Sequence, residues 1–126
     1  MASILVPLAA GFEELEAVTV IDLLVRAGVK VTTAGLADGA VRASRGVTLI
    51  PDCSVDEALA HEYDMVVLPG GQAGADHLAA DPRIILLLQQ MKQQGLYIAA
   101  ICAAPQVLAA AGVLEGRSAT SYPGVL

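Results

Sequence analysis

Aromatic side chains are nearly missing from this sequence: it has no tryptophan, one phenylalanine and three tyrosines in 126 residues. Its core must therefore be built from Ala, Val, Leu and Ile. Basic stretches are missing too. Seven Lys and Arg stand against thirteen Asp and Glu, a net charge of −6. The basic residues are scattered from Arg26 to Arg117, whereas phosphate binding needs them clustered, so no nucleic-acid groove is expected. No basic amphipathic face for a membrane surface is present either. No apolar run nears the roughly 18 residues that span a bilayer. Ser3 to Ala10 lacks the positive flank of a signal peptide and reads as a first strand. Cysteine is scarce, and Cys53 and Cys102 lack framework spacing, which points to free thiols in a reducing cytoplasm. No His and Cys spacing suggests a metal site, and no organic cofactor is required by any motif.

What is abundant is apolar. Hydrophobic residues make up 56% of the chain, and the mean hydropathy is +0.64. For a single domain of this length that suggests surface buried against a partner.

Short apolar runs alternate with longer helical patterns. Ile4 to Leu8 reads as a strand and Phe12 to Ala27 as a helix, with Gly28 placed to end it. Val29 to Leu36 is a second strand. After the Asp38-Gly39 turn signal, Ala40 to Arg42 and Val47 to Ile50 form a small antiparallel excursion. Asp56 to Ala60 is a short helix. Met65 to Leu68 is a buried strand that stops at Pro69-Gly70-Gly71. Asp81-Pro82 opens a helix to about Gln94, Tyr97 to Ile101 is a strand, and Gln106 to Ala111 is helical. Ser118 to Thr120 is one further candidate strand. This alternation argues a mostly parallel sheet covered on both faces, a flavodoxin-like three-layer α/β sandwich in one domain over residues 1–126. The chain stops just after that last candidate strand, so a C-terminal strand and helix are expected to be missing from it, and its own remaining piece is a candidate partner.

Open parallel sheets gather reactive groups outside the carboxyl ends of their strands. Cys102 sits there, in Ala99-Ala100-Ile101-Cys102-Ala103-Ala104-Pro105, at the turn from strand to helix. The positive end of the following helix is expected to favour its thiolate. Cys53 beside Pro51-Asp52, in a loop, is a bystander. Glu16 heads a helical stripe with Val20, Leu24 and Ala27. Partial desolvation is expected to keep it protonated, able to hydrogen-bond a thiolate and shuttle a proton. Replacing it with Gln is expected to lower turnover and raise the thiol pKa. The plainer reading is that Glu13, Glu14 and Glu16 all complement the helix dipole. The N–H groups of Gly71 and Ala103 could form an oxyanion hole, though Pro-Gly-Gly is also an ordinary tight turn. Gly71-Gln72-Ala73-Gly74 lacks the Lys of a phosphate loop, which disfavours nucleotides. His61 reads as a surface residue, and His77 as one in a first helical turn near the glycine-rich loop. Asp22 and Arg26 form an i,i+4 pair.

Together, Gly11-Phe12-Glu13-Glu14-Leu15-Glu16, Arg26-Ala27-Gly28-Val29-Lys30-Val31, Ser44-Arg45, Leu68-Pro69-Gly70-Gly71 and the segment around Cys102 resemble the ThiJ/PfpI superfamily. Within it they resemble the branch of the parkinsonism-associated deglycase and YajL. The resemblance implies a strained nucleophile-elbow Cys102, a protonated Glu16 bonded to it, and an oxyanion hole from Gly71 and Ala103. Gly70, Arg26, Arg45 and Tyr122 become substrate-binding or dimer-proximal positions. The implied activity is a cofactor-free glyoxalase or deglycase on methylglyoxal or on glyoxal adducts of proteins and nucleotides, in a homodimer under oxidative stress. The alternatives are a redox sensor or chaperone acting through Cys102 oxidation and, more remotely, an amidotransferase- or protease-like hydrolase. Human-like members carry His before Pro where this chain has Tyr122 before Pro123. A Cys-His pair is therefore not expected, and proton transfer falls on Glu16.

Overall fold

The computed structural model describes every residue from Met1 to Leu126. Strand β1 (Ser3–Leu8) leads through helix α1 (Glu14–Arg26) to β2 (Lys30–Gly35). A small hairpin of β3 (Val41–Arg42) and β4 (Thr48–Leu49) precedes β5 (Cys53–Ser54), α2 (Val55–Ala58) and β6 (Met65–Leu68). Helices α3 (Gln72–Ala80) and α4 (Pro82–Gln93) then lead to β7 (Tyr97–Ala100) and α5 (Pro105–Ala110).

Five strands form one sheet in the order β5-β2-β1-β6-β7, with every neighbouring pair parallel. The hairpin stands apart as an antiparallel pair. The chain steps from β1 outward to β2, then returns to lay β6 on the other side of β1. That reversal opens a crevice at the carboxyl ends of β1 and β6, where this class of sheet binds its ligands.

The pleat sorts the core into two layers. Ile4, Val6 and Leu8 of β1 face one side with Val67, Phe12 and Ala17. Leu5 faces the other with Val66, Leu68, Leu78, Leu88 and Val107. Helix α1 and the hairpin cover the first face, and α2 to α5 cover the second. This is the expected α/β sandwich. Gly28 closes α1 at φ 83°, where its N–H donates to Val25 O at 3.0 Å and the Val29 N–H to Leu24 O at 3.1 Å, a left-handed helix stop that glycine makes without a Cβ clash.

Four sequence expectations change. Ser118 to Thr120 forms no strand, because those residues are exposed and no neighbour offers a ladder to their backbone. Cys53 lies in β5 instead of a loop, its residue paired with Ala34 of β2. Helix α2 starts at Val55 because Ser54 and Glu57 form a capping box, a signal that sets the first turn. His77 is in the second turn of α3, not the first. Glycine at position 74 hides that helix from the sequence. A Cβ there would lie 2.8 Å from the Phe12 backbone, so close packing requires glycine inside the helix.

Candidate active site

Three loops converge at the carboxyl ends of β1, β6 and β7. The β1–α1 loop and the β6–α3 loop interlock through glycine. Gly71, at φ 86°, caps α3, and a Cβ on it would collide with Gly11 O and lie 2.7 Å from Glu13 N. The loops are further tied by the Glu13 N–H, which donates to Gly70 O at 2.9 Å.

Glu16 occupies the third position of α1, where a glutamate ordinarily folds back onto the N-cap N–H. Here that N–H, on Glu13, is already taken by Gly70 O. The Glu16 side chain crosses to β6 instead, and Oε1 accepts the Gly70 N–H at 2.9 Å. The peptide groups of Gly70 thus fix the Glu16 carboxyl over the end of β6. Of its expected stripe, Val20 and Leu24 pack on the core, while Ala27 is exposed.

Cys102 follows the end of β7. The Ile101 N–H extends the sheet to Leu68 O at 3.2 Å, and the Ala104 N–H closes a tight turn onto Ile101 O at 2.9 Å. Cys102 and Ala103 are the central residues of that turn. Cys102 has φ 60° and is the one non-glycine residue with positive φ, a conformation that costs an L-residue about 1–2 kcal/mol. Its carbonyl accepts the Tyr122 N–H at 2.8 Å, which pins the turn from outside. Pro105 then opens α5 at its first position, where the missing N–H does no harm.

Gly70 holds Glu16 and Cys102 together. A Cβ on Gly70 would lie 2.5 Å from Glu16 Oε1 and 2.9 Å from Cys102 Cβ. Burial pushes the half-buried Cys102 thiol above its ordinary value. The negative charge and hydrogen bond of Glu16 push the same way, as does the Glu13 charge, and the Ala103 N–H alone pulls it down. This corrects the sequence expectation. Burial and the charges of Glu16 and Glu13 thus oppose the helix end at this thiol. The sign expected for Glu16→Gln reverses with it, because removing that charge lowers the thiol pKa. The Gly71 and Ala103 N–H groups donate to no backbone carbonyl.

The structure therefore brings Cys102, Glu16, Gly70, Gly71, Ala103 and the Tyr122 backbone to one place. Arg26 is elsewhere. It lies at the far end of α1, its Nε 2.5 Å from Asp22 Oδ1. Arg45 sits in the β3–β4 loop, held by its own N–H on Glu14 at 3.0 Å. His77 donates from Nδ1 to Ala10 O at 2.9 Å. His61 lines a cavity of about 720 Å³ at the opposite, amino ends of the strands.

Sequence reasoning missed two features. Glu14 does more than complement a dipole. Desolvation raises its pKa, but its own N–H, the Ser44 hydroxyl and the N–H groups of Arg45 and Val47 outweigh that and hold it at about 2. It clamps the β3–β4 loop onto α1. The other is a bridge between α3 and α5, in which Asp76 Oδ1 accepts from Gln72 Nε2 at 2.9 Å and from Gln106 Nε2 at 2.7 Å. Neither was legible, because the partners lie about 30 residues apart. No group of three or more His, Cys, Asp and Glu is placed to hold a metal ion.

A parallel sheet with a cysteine in left-handed conformation on a strand-to-helix turn, beside a carboxyl and the Ala103 N–H, defines an α/β protein with a cysteine elbow. The chain belongs to the DJ-1/PfpI family, whose model matches residues 2–126. It is 48% identical over 124 residues to the protein dj-1beta of Drosophila melanogaster, covering 98% of this chain and 66% of that one. It is 34% identical over 114 residues to a deglycase of Pyrococcus abyssi, covering 90% of this chain and 68% of that protein. The oxidized DJ-1 of Toxoplasma gondii superposes with a TM-score of 0.94 at 41% identity, over 98% of this chain and 68% of that one. The chain thus spans about two-thirds of the length of these relatives.

Proposed function

We propose that Cys102 is the nucleophile of a cofactor-free glyoxalase or deglycase centre acting on methylglyoxal or on glyoxal adducts of proteins and nucleotides. The observation that carries this is the joint packing of Cys102 and Glu16 against Gly70, with the thiol in a left-handed turn. Two adjacent negative charges are costly, so one proton serves the pair. The thiol gives its proton to the Glu16 carboxylate as the sulfur attacks the aldehyde carbon, forming the C–S bond. The oxygen that becomes negative is held by the Gly71 and Ala103 N–H groups. Glu16 returns the proton there, then takes the C1 hydrogen as a proton, leaving an enediolate with its charge on the C2 oxygen. The proton is delivered to C2 while the C1 hydroxyl proton passes to the C2 oxygen, which leaves a thioester. Water cleaves the thioester, releasing lactate and restoring the thiol.

Gly70 and the Tyr122 edge border the substrate in this proposal, and Arg26 and Arg45 belong to the surface near a second copy. Exposed Leu15, Val18 and Val25 share one side of α1 by helical spacing and support a homodimer there, since clustered apolar side chains favour association. Lactate formation from methylglyoxal tests the centre, and equal rates for the intact chain and Cys102→Ala sink it.

A redox-sensor reading draws on the same donors, which would also hold a sulfinate. Its check is a mass gain of about 32 Da at Cys102 after mild peroxide; an unmodified Cys102 removes it. The protease-like alternative has no support in the site geometry, because His61 and His77 are both committed elsewhere.

A further inference from the structure

Resting on the reading above, we propose that Asp76 is a positioning residue of this centre. Its carboxylate locks Gln72 to Gln106, and so holds α3 and α5 at the spacing that lets the Gly71 and Ala103 N–H groups bind one oxyanion.

Both donors stand at or just before the start of a helix, and neither helix start is tied down by a cap of its own. Gly71 is the N-cap of α3 and Ala104 that of α5, and neither end carries a side-chain cap bond. The gap between the two N–H groups is therefore set by how α3 sits on α5. The two helices pack together within the core that holds Ala75, Leu78, Ala104 and Val107. Apolar burial keeps them close but is non-directional.

Direction comes from a closed triangle of polar side chains. Gln72 Nε2 donates to Asp76 Oδ1 at 2.9 Å and to Gln106 Oε1 at 3.2 Å, and Gln106 Nε2 donates to Asp76 Oδ1 at 2.7 Å. Gln72 directly follows Gly71, and Gln106 is the second residue of α5. An ionised carboxylate only accepts, so turning either amide would set its oxygen against Asp76. The carboxylate thus holds both glutamines in the one orientation in which they also bond each other. Hydrogen bonds to a charged acceptor are about twice as strong as neutral ones. Gln72 and Asp76 are exposed and Gln106 is half-buried, so the triangle contributes geometry more than stability. Oxyanion stabilisation is steep in geometry. Loss of one donor costs about 100- to 1,000-fold, and a misplacement of about 1 Å can cost about 100-fold.

The test compares two reactions of the same sulfur, in the full chain carrying Cys53→Ala. With p-nitrophenyl acetate the Cys102 thiolate adds to the ester carbonyl, the oxyanion forms and collapses, nitrophenolate leaves and a thioester remains. With iodoacetamide the thiolate displaces iodide at carbon and builds no oxyanion. The thiolate fraction enters both rates alike and cancels in their ratio. Asp76→Ala is expected to lower the acylation-to-alkylation ratio about 10-fold, with the melting temperature little changed, as for an exposed residue. Asp76→Asn, which keeps an oxygen for the two amides, recovers most of it. An unchanged ratio in Asp76→Ala, an equal fall in both reactions, or an Asp76→Asn ratio no better than that of Asp76→Ala overturns the proposal. A ratio that depends on Asp76 in a chain forming no lactate upholds the positioning while failing the glyoxalase reading. Lactate formation with a ratio indifferent to Asp76 does the reverse.

Discussion

Cys53 and Cys102 are the same side chain, half-buried in the same molecule, and both thiols are pushed up. Burial does so first in each case, followed by Glu57 and Asp52 at Cys53 and by Glu16 and Glu13 at Cys102. Exposure and charge therefore fail to tell them apart. Backbone and hydrogen bonding do. Cys53 lies in extended β5, and its sulfur faces Thr33 O at 3.8 Å, an acceptor that favours the protonated thiol. Cys102 is at φ 60°, with the Ala103 N–H on its sulfur and a carboxyl beside it able to take its proton. In the role proposed for it, Cys102 differs from Cys53 by the carboxyl that can receive its proton and the N–H beside its sulfur.

The sharpest break in the comparison is loss of the sulfur itself. Cys102→Ala is expected to reduce lactate formation by about 100-fold or more, while Cys53→Ala changes it less than about 2-fold, since bystander substitutions have small effects. Steady-state assays on both variants decide it. Next in size is Gly70→Ala, whose Cβ would press on Glu16 Oε1 and Cys102 Cβ. Overpacking of this kind costs about 1–3 kcal/mol, and displacement of the pair is expected to lower turnover about 10- to 100-fold; denaturation midpoints and kcat measure the two effects separately.

Glu16→Gln sharpens the contrast by charge. Removing the carboxylate takes away a cause that raises the Cys102 thiol, so the pH midpoint of Cys102 alkylation moves down even as turnover falls. An upward shift would reinstate the sign expected from sequence. Smaller still, glycine should act oppositely at the two positions. Cys102→Gly is expected to be more stable than Cys102→Ala by about 1 kcal/mol, because only the alanine retains a left-handed penalty. Cys53→Gly should be less stable than Cys53→Ala by about 0.5–1 kcal/mol in an extended strand. Thermal melts of the four proteins check both signs.

The smallest effect lies outside either thiol. The folded Glu14 carboxyl, at about 2, is depressed from 4.5. Its contribution to stability is therefore full above about 4.5 and is lost as pH falls toward 2. Glu14→Gln should flatten the acid limb of a stability-against-pH curve in that window and leave neutral-pH curvature unchanged.

Much of this was legible in the chain. Met65 to Leu68 and Tyr97 to Ala100 are short apolar runs ended by Pro69-Gly70-Gly71 and by Cys102, so strand ends and the elbow could be placed from local pattern. Helix α4 announced itself through Asp81-Pro82. The hairpin followed from the Asp38-Gly39 turn signal and the runs Ala40 to Arg42 and Val47 to Ile50. Ser118 to Thr120 misled, because β propensity without a neighbouring ladder makes no strand. Helix α3 was hidden by Gly74, whose reason is the Phe12 backbone pressed against it. The opposing pull on the Cys102 thiol was not legible because a helix end is visible in sequence, whereas the approach of Glu16 and Glu13 to Cys102 is not.

The sequence by itself determined the alternation of strands and helices, the acidic balance, and the cysteine on a strand-to-helix turn. Periodicity, glycine and proline act over a few residues, and so survive in a one-dimensional record. Only the tertiary structure decided that Gly70 would seat Glu16 against Cys102, that Glu14 would clamp a loop some 30 residues away, and that the thiol would be pushed up. Those outcomes depend on distances set by strand order, which brings β1, β6 and β7 side by side, and electrostatic energy follows distance in space, not separation along the chain.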